Sequence, residues 1–475
     1  MEKVVDLNLW QRAHVKSQEE LQALYDEVSA LYQAQPYPLL SERCASLEKL
    51  KLALLRFQPQ LQQALSEDYG YRSEFDSVIC DLLPAIEHIN YTAKHLRKWM
   101  KPDKRRAGLM LMPSKLEVVY QPLGVVGVIV PWNFPIFLSI GPIATAIAAG
   151  NRVMVKLSEH TPNTNQVLSQ VFAELDNLVY VVEGEVEIAQ CFSQLPFDHL
   201  LFTGSTKVGK LVAEQAARNL TPVTLELGGK SPVIIAPDAD LKQAVDAILM
   251  GKAINAGQIC VAPDYVLLPE SKQQEFVDLY LNRFSQLFIE TAKPLTKVIN
   301  QAQFDRLNSY LEDAKTRGAQ IHTIDAQVPE RVLLPHLVTN LTDSMVVMKE
   351  EIFGPILPVI GYRHIHQVFE YIENKPRPLA LYLMSHDKAL ISKVRTQTHS
   401  GGLCINDTLL HVSAKDAPFG GIGQAGMGHY HGVEGFRTFS KAKTVLTTPS
   451  WLPRSRLLLE YQTRFKQLLS KLFLH

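Results

Sequence analysis

The chain has 475 residues, enough for two to four domains, and 46% of them are hydrophobic, so large cores can be buried. Lys plus Arg and Asp plus Glu balance at 48 each, and a neutral chain argues against nucleic acid as the main partner. Five scattered cysteines, Cys44, Cys80, Cys191, Cys260 and Cys404, show neither a disulfide framework nor zinc-ligand spacing, so no metal is expected and free thiols suit a reducing, cytoplasmic setting.

Met1 to Val15 mixes charged and apolar residues and lacks the apolar core of a signal peptide. Leu21, Leu24, Val28 and Leu31 recur at helical spacing. So do Leu47, Leu50, Leu54, Phe57, Leu61 and Leu65, despite Pro59, which predicts early amphipathic helices. Lys94, Arg97, Lys98, Lys101, Lys104, Arg105 and Arg106 form a basic cluster, read as a solvated helix end and loop in preference to an anion site. Val118 to Asn151 carries no charge and is long enough to cross a membrane. Pro131, Pro135 and Pro142 interrupt it, so a buried strand, a loop and a buried helix start are predicted.

From residue 117 strand-like and helix-like runs alternate. Val125–Val130, Val153–Leu157, Leu178–Val182 and His199–Phe202 read as strands, and Asn163–Asp176 and Thr206–Arg218 as helices. That alternation implies an α/β fold with a parallel, doubly wound sheet. A second alternating set runs from about Ser231 to Pro418, a second α/β domain. The turn Gly204-Ser205-Thr206 closes a strand and opens a helix, where N–H groups could face a phosphate; without GxGxxG, plain helix capping is the favoured reading of this turn taken alone. Lys156 and Glu159 end another strand, at the edge where such sheets bind ligands, and could hydrogen-bond a ribose; a surface ion pair is the plainer reading.

Cys260 follows an amphipathic run, Ala239 to Ala256, that reads as a helix. A thiol is a strong nucleophile once a thiolate forms. Glu226 stands in an apolar, glycine-rich setting (Leu225-Glu226-Leu227-Gly228-Gly229-Lys230), and Asn133 offers an amide donor in Pro131-Trp132-Asn133-Phe134-Pro135. Nucleophile, base and oxyanion donor are the parts that covalent carbonyl chemistry requires. Trp451 to His475 carries an apolar stripe (Leu458, Tyr461, Phe465, Leu468 or Leu469, Leu472) among Arg and Lys. A basic amphipathic helix is expected there, docked on the body or a second subunit, or touching an anionic membrane.

These motifs, with Glu350-Glu351-Ile352-Phe353-Gly354-Pro355, Ser400-Gly401-Gly402 and Pro418-Phe419-Gly420-Gly421, resemble the aldehyde dehydrogenase superfamily along nearly the whole chain. Cys260-Val261-Ala262-Pro263-Asp264-Tyr265 and Gly426-Met427-Gly428-His429-Tyr430 look like its class 3 branch, which includes coniferyl, fatty and benzaldehyde-type enzymes. The resemblance implies two Rossmann-like α/β domains plus a β-arm that pairs subunits, as a homodimer. Residues 1–227 would bind NAD(P), with about 102–120 in the arm, and 228–418 would form the catalytic domain. Residues 419–450 would return to the cofactor domain and arm, leaving 451–475 as a tail. It implies oxidation of an apolar aldehyde to the acid with NAD, NADP being possible. Cys260 would be the nucleophile, Asn133 the oxyanion donor and Glu226 the base that activates water. Lys156, Glu159, Gly204, Ser205, Trp132, Glu351 and Phe353 would line the cofactor. Ile259 and Phe134, where relatives often carry Thr and Tyr, put substrate preference in question. Acyl transfer to coenzyme A, or NAD binding without catalysis, are the alternatives on this fold.

Overall fold

The computed structural model describes residues 12–13 and 17–474. The reading of Met1 to Val15 lies outside the described residues, apart from the two-residue strand Arg12–Ala13. Gln18–Ala34 is the first helix, started by the Ser17 side chain accepting the Glu20 N–H, and it buries Leu21, Leu24 and Val28. The next apolar series divides into helices Leu40–Arg56 and Gln58–Tyr69. Pro59 lies in the first turn of the second, where its missing N–H removes no helical bond.

The four predicted strands form the centre of a seven-stranded sheet. Its order is Arg12–Ala13, Val179–Val182, Arg152–Lys156, Val125–Ile129, His199–Gly204, Val223–Leu227 and Gly426–Met427. All pairs are parallel except the last. Taking the five central strands in chain order, the spatial order is 3-2-1-4-5. Such a sheet binds ligands beyond the carboxyl ends of its strands where the winding reverses, here between Val125–Ile129 and His199–Gly204. The charge-free stretch becomes strand Val125–Ile129, a loop and helix Phe137–Ala149, most of whose residues are buried. Among the described residues no helix is long and apolar enough to cross a membrane.

A second seven-stranded sheet follows, ordered Gln320–His322, His336–Thr339, Ile356–Tyr362, Tyr265–Pro269, Pro232–Ile235, Ala380–Met384 and Gly402–Ile405. It is parallel except at its first edge. The loops that enter its strands at Pro232, Tyr265 and Ile356 carry Gly228–Lys230, Cys260 and Glu351–Phe353.

Residues 100–121 and 441–475 form a compact unit of their own. Asp103–Arg105, Lys115–Pro122 and Ser440–Thr447 make its three-stranded sheet, which absorbs part of the basic cluster. The expected terminal helix is two, Arg454–Glu460 and Gln462–Phe473, because Tyr461 leaves helical geometry with φ −119°. Arg454 ties the first to the carbonyls of Leu111 and Met112.

Strand Val125–Ile129 is buried along its whole length, and Gly127 is its centre. A Cβ there would lie 2.6 Å from the Phe197 ring and 2.8 Å from Leu200. Gly127→Ala is therefore expected to lose about 1–3 kcal/mol through overpacking, read as a lower denaturant midpoint.

Candidate active site

Asn133 sits in the loop that leaves the central strand, and it is buried. Its side-chain Nδ2 donates to the Gln258 carbonyl at 3.2 Å. Its own carbonyl accepts from Tyr69 Oη at 3.2 Å, Arg72 Nη1 at 3.1 Å and Asn255 Nδ2 at 3.2 Å. Three donors, from a helix end, the loop that follows it and the turn before Cys260, thus converge on one loop carbonyl. Arg72 also forms an ion pair with Asp81 at 2.9 Å, both side chains fully buried. The other Asp81 oxygen accepts the N–H groups of Ile136 (3.1 Å) and Phe137 (2.8 Å), capping helix Phe137–Ala149 from a distance. Burial pushes the Asp81 carboxyl up to about 6, with Arg72 opposing.

The helix expected to reach Ala256 stops at Ala253. Asn255, Ala256 and Gly257 then take φ of 50°, 51° and 68°, three left-handed residues in succession. Asn and Gly enter that region readily; Ala256 does so at a cost of about 1 kcal/mol. Asp76 Oδ2 holds the turn through the Asn255 N–H at 3.0 Å. Gln258 is fully buried and bridges it, donating to Asn255 O (2.9 Å) and Lys297 O (3.1 Å) and accepting from the Ile299 N–H (3.0 Å). A Cβ on Gly257 would meet the Gly354 carbonyl at 2.7 Å, so the turn also packs on the Phe353 loop. Cys260 emerges from this fixed turn.

Burial raises the Cys260 thiol to about 12, with the Glu351 and Glu226 carboxylates adding to it and the Cys260 and Val261 N–H groups opposing. Glu226 lies near the end of strand Val223–Leu227, 3% exposed, and neither carboxylate oxygen has a hydrogen-bond partner. Burial holds its carboxyl well above the ordinary range. Both groups become reactive by losing a proton, the thiol as a nucleophile and the carboxyl as a base.

Opposite them, burial raises Glu351 to about 8, and the Asp264 charge adds to this while the Gly229 N–H opposes. Any Cβ at Gly228 would collide with the Glu351 carboxylate. Phe353, at φ 51°, stands edge-on to Trp132 with ring centroids 5.3 Å apart. Lys156 is 2% exposed, donates to Leu157 O at 2.7 Å and lies 3.6 Å from Glu159, so this pair is not the surface ion pair of the plainer reading. Ser205 caps helix Thr206–Ala217 by accepting the Val208 N–H at 3.4 Å. A Cβ on Gly204 would come within 2.5 Å of the Phe202 ring.

All ten residues singled out in the sequence line one cavity of 1180 Å³, from Trp132 and Asn133 through Cys260 to Phe353. The cavity spans the switch point of the first sheet and the amino-terminal loops of the second. Its lining runs from Ser205 to Cys260, and the helix terminus, buried cation and carboxylates in it have the chemistry to bind the phosphates and ribose of a dinucleotide. Sequence reasoning missed Tyr69, Arg72, Asp76, Asp81 and Arg306. Each acts across long sequence separations and leaves no local spacing; only Asn255-Ala256-Gly257 carried a turn signal. Among the described residues no group of acid, His and Cys side chains could hold a metal. Cys80 and Cys191 pack partly buried against apolar clusters, and all five cysteines are free thiols.

The aldehyde dehydrogenase family profile matches residues 8–445. A probable coniferyl aldehyde dehydrogenase of Pseudomonas aeruginosa is 48% identical over 96% of each chain. A coniferyl aldehyde dehydrogenase of Pseudomonas sp. is 41% identical, covering 90% of this chain and 91% of its own. The substrate-bound structure of Staphylococcus aureus AldH superposes with TM-score 0.89 at 35% identity, over 96% of this chain and 99% of that one. A Mycobacterium tuberculosis aldehyde dehydrogenase complexed with NAD+ gives TM-score 0.83 at 28% identity, with 92% of each chain covered.

Removing one member of a fully buried ion pair strands the other. Asp81→Ala is expected to cost about 3–5 kcal/mol and Arg72→Met a similar amount, measured by chemical denaturation. Combining the two should cost less than the sum of the singles.

Proposed function

The chain belongs to the aldehyde dehydrogenase family, and on that premise we propose how its NAD(P)-dependent oxidation of aldehydes runs on these residues. The carrying observation is that a partly buried thiol, a carboxylate without partners and a fixed amide line one cavity. The Cys260 thiolate attacks the aldehyde carbon and forms a thiohemiacetal. The Asn133 amide and the Cys260 backbone N–H donate to the oxygen as its negative charge develops. NAD, when bound, would supply the acceptor for the hydride that leaves this carbon, and Cys260 would then hold the acyl group as a thioester. Glu226 takes a proton from water, the resulting hydroxide attacks the thioester, and the acid departs as the thiolate re-forms. A carboxyl raised by burial is a stronger base than an ordinary one, which suits that step. Glu351 and Phe353 would hold the nicotinamide side, while Lys156, Glu159, Gly204 and Ser205 would hold the ribose and phosphates. A carboxylate at Glu159 repels a 2′-phosphate, so NAD is favoured over NADP.

The substrate class is a coniferyl-type or other apolar aldehyde. The two Pseudomonas relatives support it, as does the apolar cluster beside Cys260, which includes Phe134, Ile259, Leu138 and Phe419. The absence of any hydrogen-bond partner for Glu226 favours water over coenzyme A as acyl acceptor. Predominant acyl-CoA formation would overturn that choice. Five free thiols support a cytoplasmic placement.

The unit of residues 100–121 and 441–475 carries twelve Lys and Arg against three Asp and Glu, a surplus of nine that the rest of the chain balances with nine negative charges. That complementarity supports docking of this unit on a second copy, giving a homodimer. Sedimentation at low and high salt tests it, and a monomer that binds anionic vesicles would favour the membrane reading instead.

Cys260→Ser should abolish reduced-cofactor production. Asn133→Ala should lower kcat on the order of 10²–10³-fold. Glu226→Gln should retain a first-turnover burst of reduced cofactor yet release acid slowly, visible by rapid-mixing absorbance. Because the reactive thiolate and carboxylate both form by proton loss from groups that burial raises, kcat/KM should rise with pH on the alkaline side of neutrality, read from a pH–rate profile. A panel of coniferyl aldehyde, benzaldehyde, hexanal and a long-chain aldehyde decides the substrate class.

A further inference from the structure

Asp264 has no part in the chemistry above, yet it is 3% exposed and fully engaged. One carboxylate oxygen accepts from Lys230 Nζ, and the other accepts the Ile352 N–H at 2.9 Å. The same Lys230 ammonium donates to the carbonyls of Val347 (2.8 Å) and Glu350 (3.0 Å). Arg306 closes the segment from the far side, donating to Ile352 O at 2.9 Å. Asp264 is itself anchored through its N–H to Ser231 O at 2.8 Å, at the entrance of strand Pro232–Ile235. Four bonds from this pair and its neighbour therefore grip residues 347, 350 and 352, which bracket Glu351.

We propose that Asp264, acting through Lys230, is a positioning residue for Glu351: it fixes segment 347–352 so that the Glu351 carboxylate is pressed against Gly228 and presented to the nicotinamide half of the cofactor. This rests on the reading of Glu351 given above. The grip is electrostatic as well as geometric. The charged and titratable groups facing Glu351 are Asp264, Lys230, Arg306, Lys252 and Cys260. Asp264 raises the Glu351 carboxyl, while Lys230 and Arg306 lower it. Lys252 is itself buried, and Asp264 and Glu351 both favour its charged form.

The test compares Asp264→Asn, Lys230→Met and Glu351→Gln with the full-length enzyme. Asp264→Asn keeps the shape and an acceptor but removes the charge that holds Lys230. The expected result is an NAD KM raised about tenfold or more, with Cys260-dependent hydrolysis of an activated ester, measured without cofactor, within twofold of the parent. Loss of the Asp264 charge also lets Glu351 ionise at lower pH, so the alkaline-going limb of NAD affinity should move down the pH scale. Loss of local packing alone would not move that limb in this direction. Lys230→Met should raise the NAD KM too, while moving the limb upward, and it decides the matter if Asp264→Asn does not fold. An unchanged NAD KM and an unmoved limb in both variants would overturn the proposal. An unchanged NAD KM in Glu351→Gln would instead sink the reading of Glu351, whatever Asp264 does.

Discussion

The ion pair between Arg72 and Asp81 is the constraint on which the site's geometry depends. Two opposite charges at zero exposure are costly to desolvate, and they persist because each has further work for its remaining atoms. Arg72 passes a donor to the Asn133 carbonyl, and Asp81 closes the N–H groups that open helix Phe137–Ala149. The loop from Val130 to Ile136 is thereby held at both ends of its turn. Its first residue is also fixed by the Val130 N–H to Lys156 O bond at 3.0 Å, which links the loop to the strand that ends in the cofactor wall. A loop set this firmly presents an amide without reorganising when charge appears, which is what electrostatic preorganisation demands.

The same carbonyl of Asn133 joins its own loop to the turn before Cys260 through Asn255. Because Asn133 Nδ2 also donates to Gln258 O, the two loops are cross-linked in both directions. Gln258 carries the link onward to Lys297 and Ile299. The strained Ala256 is tolerated because bonds on either side over-determine its conformation. Cost and placement belong together here: the left-handed turn is what lifts Cys260 out of the preceding helix and into the cavity.

Sequence and structure agree most where information is local. The strands Val125–Ile129 and His199–Gly204, and the chemical types of Cys260, Glu226 and Asn133, are carried by short runs of residues. The helix before Cys260 ends three residues before its apolar period does, because the period continues through Ala256 while Asn255 and Gly257 turn the chain. Single helices were split at Phe57 and Tyr461 for similar reasons: periodicity reports a buried face and is blind to a one-residue break. The braces were invisible for another reason. Arg72 reaches Asn133 over 61 residues, and Asp76 reaches Thr296 over 220, so no window of sequence contains both partners. Asp264 lies four residues after Cys260, but nothing adjacent to it says that its partners are Lys230 and Ile352.

The two carboxylates beside Cys260 show why similar groups suit the different roles proposed for them. Glu351 receives the Gly229 N–H, is confined by Gly228, and feels cations from Lys230 and Arg306; its raised value of about 8 is a compromise among these. Glu226 has only burial acting on it and no bond to either oxygen. A carboxylate with bonded, confined oxygens keeps its place and gains little by exchanging a proton, so it serves as a fixed acceptor for a ligand's hydroxyl groups. A carboxylate without partners gains its first hydrogen bond from whatever enters, and water is the smallest such donor. In that environment proton uptake from water relieves the penalty of a buried charge at the moment a nucleophile is made. The difference in hydrogen bonding, more than the difference in burial, is what separates base from clamp.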